Sequence, residues 1–192
     1  CNKTYVLSDE EWEDPETGMK TMHIHNKVGN LYGKLRLGIR AILKNIEQNS
    51  YGFDFFCIQG DDTFIIMENL KYFLETKFGG LKGKQRVLKE TLYIGNPGLG
   101  RYHFGAGYIV NLNALIVIDR CNLHKETWNE DLMVGQCMEK KQVPKIFAKY
   151  SNHDLNLVNP NLRYPIPGGT VHPYSYLFHY IHGQQLYDAY NT

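Results

Sequence analysis

The sequence predicts an α/β domain, and two observations carry that expectation. Short apolar runs bounded by turn residues alternate with segments of helical spacing, the arrangement of a sheet covered by helices. The hydrophobic share, 43% of 192 residues, suffices for one full core, and residues 1–192 are read as a single domain. The 21 basic and 20 acidic side chains leave a net charge of +1. That balance lacks the basic footprint that follows a phosphate backbone, so nucleic acid is not an expected partner. No run of about 18 apolar residues occurs, and no membrane span or signal peptide is read from the chain as it stands.

Tyr5-Val6-Leu7 closes a first short strand, and the acidic run from Asp9 to Glu16, with Pro15 and Gly18 as breakers, reads as an exposed loop. Leu31, Leu35, Ile39, Ile42 and Ile46 form one helical stripe, with Lys34, Arg36, Lys44 and Glu47 for the other face. Asn49-Ser50-Tyr51-Gly52 stops that helix. Phe53 to Ile58 reads as a buried central strand, and Asp61-Asp62 follow its carboxyl end, where sites in such sheets lie. Helical spacing resumes from Glu68 to Thr76, while Gly79 to Lys84 reads as an irregular Gly/Lys loop.

Leu92 to Gly95 is a further strand, Asn96 to Gly100 a turn, and Gly107 to Val110 another strand. Asn111 or Asn113 caps the helix through Ile118. Asn129 caps a helix to Lys140 with Glu130 and Asp131 in its first turn and a buried stripe of Met133, Val134, Cys137 and Met138. Residues 151–169, rich in Asn and Pro, read as a long surface loop, and Tyr176 to Tyr180 as a last strand.

On local chemistry Asp61 and Asp62 have two readings. They cap or solvate a turn, or they hold a hard divalent cation that prefers carboxylate oxygen and clamps a diphosphate. Glu130 and Asp131 equally fit plain first-turn acids facing a helix dipole. His23 and His25 share one face of any strand, as a metal pair or as ordinary exposed histidines. The four cysteines match no zinc spacing, and their even number permits disulfides; Cys57, in an apolar strand, reads as a buried thiol. Asn2-Lys3-Thr4 is a glycosylation sequon, a hint of a secretory route.

The wider pattern resembles a known family. F-D-F-F-C-I-Q-G-D-D-T-F-I-I-M-E-N-L-K-Y-F-L resembles the strand, acidic motif and helix of β1,3-glycosyltransferases of the fringe and core-1 galactosyltransferase group. F-G-A-G-Y-I-V-N-L-N-A-L, N-E-D-L-M-V-G-Q-C-M-E-K and Y-L-F-H-Y-I-H-G-Q-Q-L-Y are similar, in the same order, to three further segments of that group, and C-N-K-T-Y-V-L-S to an early strand of the core-1 branch. The resemblance implies a GT-A nucleotide-diphospho-sugar transferase fold, a mixed central sheet flanked by helices, with its opening strand and helix lying before Cys1. It implies an inverting hexosyltransferase that moves galactose, as first choice, from a UDP-sugar to a glycan or glycoprotein acceptor such as O-linked GalNAc.

The roles follow residue by residue. Asp62 and His179 would be the ligands of a Mn²⁺ ion, and Asp131 the catalytic base. Asp61, Gly105, Ala106, Gly107 and Glu130 would contact the donor, and Lys34 would be a structural or phosphate contact. Cys121 and Cys137 resemble a disulfide pair of the core-1 branch. The family's topology implies a Golgi-lumenal domain on a type II membrane anchor upstream of Cys1, and a homodimer is among the assemblies it allows. Gly60 stands where the family has the first acid of a triplet, and His103 and Phe104 where it has Ser-Gly. A non-catalytic, chaperone-like relative in the same group supplies the alternative function.

Overall fold

The computed structural model describes residues 3–8, 10–13, 15–16, 18–24, 30–50, 52–60, 63–97, 103–121, 129–147 and 177–179. In chain order the elements are β1 (Val6–Ser8), β2 (Thr21–His23), α1 (Leu31–Asn49), β3 (Phe56–Ile58), β4 (Thr63–Ile65), α2 (Met67–Phe78), α3 (Gly80–Lys89), β5 (Tyr93–Pro97), β6 (His103–Val110), α4 (Leu112–Arg120), α5 (Glu130–Lys140), β7 (Lys145–Phe147) and β8 (Leu177–His179). The four-stranded sheet runs β3-β6-β5-β7. β6 is antiparallel to both neighbours and β7 is parallel to β5, so the sheet is mixed, as expected. β1 pairs in parallel with β2, and β4 antiparallel with β8, as separate two-stranded units.

Side chains alternate across the sheet. Tyr93, Tyr108 and Val110 face α1, α4 and α5, where Ile39, Ile118 and Val134 complete one core. Leu92, Ile94 and Ile109 point the other way, onto Leu70, Phe73 and Phe78 of α2. Fully burying one such aliphatic side chain is worth about 1.5–3 kcal/mol, which is how short strands of three to eight residues hold their places.

Asn30 caps α1 by accepting from the amide of Gly33 at 2.8 Å, and Ser50, left-handed at φ 53°, ends it. The buried face is Tyr32, Leu35, Gly38 and Ile39, a correction to the expected stripe, because Leu31 is exposed. Residues four apart drift about 40° per step around a 3.6-residue helix, so Leu31 has rotated off the face that buries Ile39. Arg36 and Arg40 tie α1 to α4: Arg36 Nη2 donates to the Asp119 carbonyl at 2.7 Å and Arg40 Nε to Asp119 Oδ1 at 2.6 Å.

The stretch read as a Gly/Lys loop is the start of a helix. Gly79 ends α2 in an extended conformation, Gly80 reverses the chain at φ 73°, and α3 follows at once. A Cβ at Gly83 would collide with the Phe78 carbonyl, so glycine lets α3 close onto the end of α2. Residues that argue against a helix by propensity are here required by packing.

β3 is an edge strand of the described sheet, not a central one, and Cys57 is exposed on it rather than buried. β6 starts four residues earlier than the sequence suggests, and its register against β5 shifts between Gly95 and Pro97. Between the two candidate caps the structure selects Asn111, whose side chain accepts from Ala114 N at 3.2 Å. Asn129 occupies the cap position of α5, but its side chain makes no capping hydrogen bond. The expected stripe of Met133, Val134, Cys137 and Met138 is buried.

Cys121 and Cys137 form a disulfide, with Cα atoms 6.0 Å apart. Closing a loop of that length removes about 3 kcal/mol of unfolded-chain freedom in the chain-entropy account. No described helix is long and apolar enough to cross a membrane. The surface loop read at 151–169 lies outside the described residues, as do Cys1 and the sequon asparagine Asn2.

Candidate functional site

An open cleft is lined by residues of β1, α1, β3, α2 and the start of α5. Its volume of about 2220 Å³ exceeds the ~300–1,000 Å³ of enclosed small-molecule pockets, so it is a trough rather than a closed chamber. Lys34, Gln59, Gly60, Thr63, Glu130 and Asp131 all line it. Two segments singled out in the sequence, the surroundings of the acidic pair and the Glu-Asp pair some seventy positions later, therefore share one surface.

Asp61 and Asp62 themselves lie outside the described residues. Their neighbours are defined: Gly60 is the last described residue after β3, and Thr63 opens β4. β4 pairs with β8 in the register Thr63↔His179, Phe64↔Phe178, Ile65↔Leu177. The backbone of His179 is thus opposite the residue that follows Asp62, across 116 positions of sequence. Opposed residues of an antiparallel pair have Cα atoms about 4.5–5.5 Å apart. Among the described residues no three His, Cys, Asp or Glu side chains gather as a metal group, and the acidic pair is not among those residues.

Glu130 and Asp131 open α5 as the sequence predicts, but their surroundings differ. Tyr108 of β6 donates its hydroxyl hydrogen to Glu130 Oε2 at 2.9 Å. Tyr108 is 1% exposed and meets Tyr93 edge to face, with ring centroids 5.6 Å apart. Burial pushes the Glu130 carboxyl up to about 7; the Tyr108 hydrogen bond pulls it down, and the charge of Asp131 pushes it up again. Burial, then the charge of Glu130, hold the Tyr108 phenol well above its ordinary value. Asp131 Oδ1 accepts from the amide of Leu132 at 2.7 Å.

Gly105, Ala106 and Gly107 are interior to β6, and Gly107 is buried with φ 117°, a backbone conformation that suits glycine. Lys34 stands on α1 at the cleft wall. His23 is on β2; its expected partner His25 is outside the described residues, so the pair is not seen as such.

Sequence reasoning gave Tyr108 no role. The one signal was its place directly after G-A-G in an apolar strand, where a phenol hydroxyl entering a core needs an acceptor. No protein-family model matches the chain.

Proposed function

We propose that the protein is a metal-dependent inverting hexosyltransferase that moves a hexose, galactose first, from a UDP-sugar to a glycan or glycoprotein acceptor such as O-linked GalNAc, in a β1,3 linkage on a GT-A fold. The observation that carries the reading is the β4–β8 register. Thr63 is covalently next to Asp62, with Cα atoms about 3.8 Å apart. Its cross-strand partner is His179. The residue covalently attached to Asp62 thus pairs with His179, which supports the reading of the two as ligands of one ion although they stand far apart in sequence.

A carboxylate with an imidazole suits Mn²⁺, and Asp62 and His179 would hold it. The bound cation would neutralise the diphosphate leaving group. Asp61, Glu130 and the Gly105-Ala106-Gly107 strand would contact the donor, and Lys34 is within the same cleft to meet a phosphate. A carboxylate at the start of α5, Asp131 in the family pattern, would take the proton of the acceptor hydroxyl as its oxygen attacks the anomeric carbon from the far face. The disulfide between Cys121 and Cys137 supports a lumenal, oxidising compartment such as the Golgi.

The test is transfer and donor hydrolysis with a panel of UDP-hexoses, a GalNAc-bearing glycopeptide and Mn²⁺. Turnover with one or two donors, lost in EDTA and restored by Mn²⁺, is the expected result. Complete absence of turnover with every donor points to the chaperone-like alternative, which Gly60 in place of an acid favours.

A further inference from the structure

We infer that Glu130, not Asp131, is the carboxylate that accepts the proton of the attacking hydroxyl, with Tyr108 as its positioning residue. This rests on the transferase reading and divides the roles of the two acids within it. Both acids line the cleft, and geometry separates them within it. Oε2 of Glu130 is fixed by the Tyr108 hydroxyl at 2.9 Å. That hydroxyl comes from a ring locked in the sheet against Tyr93 and 1% exposed, so the carboxylate is aimed by the core rather than by a surface loop. Asp131 is held locally instead, its Oδ1 accepting from the Leu132 amide of its own helix turn.

The electrostatics agree with the geometry. A general base works best when its proton affinity matches the operating pH. Glu130, pushed up to about 7, meets that condition. The groups that act on it are Tyr108 from the sheet and Asp131 on its own helix; Tyr93 acts on Tyr108, and Lys34 of α1 lines the same cleft. On α4, Asp119 is engaged by Arg40.

In the step, a lone pair of the acceptor oxygen forms the new bond to the anomeric carbon. The bond from that carbon to the diphosphate oxygen breaks, and its electron pair leaves with the nucleotide. The hydroxyl proton passes to Glu130, which becomes a neutral acid and returns the proton to solvent after product release. Tyr108 keeps its own proton throughout and donates its hydrogen bond to the ionised carboxylate.

The experiment is the pH dependence of kcat/KM for wild type, Glu130→Gln, Glu130→Asp, Asp131→Asn and Tyr108→Phe, with Mn²⁺ and the best UDP-hexose. Wild type should show an acid limb near pH 7. Glu130→Gln should lose about 10²–10⁴-fold in kcat together with the limb, and Glu130→Asp should recover part of both. Tyr108→Phe removes a hydrogen bond to the ionised form, so its limb should move to higher pH by about one unit. Asp131→Asn should keep the limb, whatever its loss in rate.

A second readout needs no turnover. The folded protein holds the Glu130 proton up to about pH 7, whereas the unfolded chain releases it near 4.5. Wild type therefore loses stability as pH rises through that window. Relative to wild type, the Tm of Glu130→Gln should be higher at pH 8 than at pH 4.5. A limb that survives Glu130→Gln and vanishes in Asp131→Asn overturns the assignment and leaves the transferase reading intact. A wild type with no turnover on any donor overturns both.

Discussion

Asp62→Ala and His179→Ala should each lower the proposed Mn²⁺-dependent hexose transfer on the order of 10³-fold, and the double variant should be no slower than the worse single one. The size follows from the role proposed for them: the charge stabilisation a Lewis-acid cation supplies to a leaving diphosphate is several kcal/mol, and each 1.36 kcal/mol is tenfold in rate. The non-additivity is the sharper part. Groups that hold one ion act as a unit, so removing the second does no further harm, whereas independent roles would multiply. Steady-state rates of the four proteins across a Mn²⁺ titration decide it. Multiplying losses would end the shared-ion reading of the Thr63↔His179 register.

Asn111→Ala should cost about 3–5 kcal/mol of unfolding free energy, a large share of the ~5–15 kcal/mol typical of a domain. Asn111 is 1% exposed and its amide bridges three elements. Its Oδ1 accepts from Leu92 N at 3.0 Å and Ala114 N at 3.2 Å; its Nδ2 donates to the carbonyls of Val87 and Glu90, both at 2.7 Å. The Glu90 carbonyl would keep a donor in Asn113 Nδ2 at 3.0 Å, so of the four backbone groups that lose Asn111, three are left without a side-chain partner. Unpaired buried groups cost about 1–3 kcal/mol each. Urea unfolding at constant m-value measures it, and Asn111→Asp serves as the control. Aspartate keeps the acceptor oxygen but sets a second oxygen against two carbonyls, so it should not rescue; a rescue would mean that only the cap on α4 matters.

Asn111 also shows what the sequence could and could not disclose. Its N-cap role was one of two candidates, legible because Asn before an apolar helical run is a local signal. Its bonds to the end of α3 and to β5 were invisible, because they depend on a helix the glycines disguised. Gly79, Gly80 and Gly83 have the composition of a loop, and the close approach of α3 to the Phe78 carbonyl exists only once α2 is in place. β4 and β7 have three residues each, too few for a period of two to stand out from chance. α1 and α5 were readable because both are longer than ten residues and carry apolar stripes at helical spacing; only the drift from Leu31 to Tyr32 needed the packed sheet to reveal it.

The site divides the same way. The acids and the histidine stood out through the order of their motifs, a resemblance that periodicity alone would not have supplied. The Tyr108–Glu130 bond did not, since it joins residues 22 positions apart through the docking of a helix on a sheet. Whether a first-turn acid points at solvent or at a buried phenol is settled by tertiary packing.

The disulfide between Cys121 and Cys137 has a topological consequence. Glu130 and Asp131 both lie inside the covalent ring it closes. A protease that severed the chain within 122–128 would leave the start of α5 still bonded to the end of α4, and the nicked protein would remain one molecule. Only reduction after the cut would part the carboxylates from the helix that precedes them in sequence. Integrity of that part of the cleft is thus held by two independent covalent paths, one of them dependent on the redox state of the compartment.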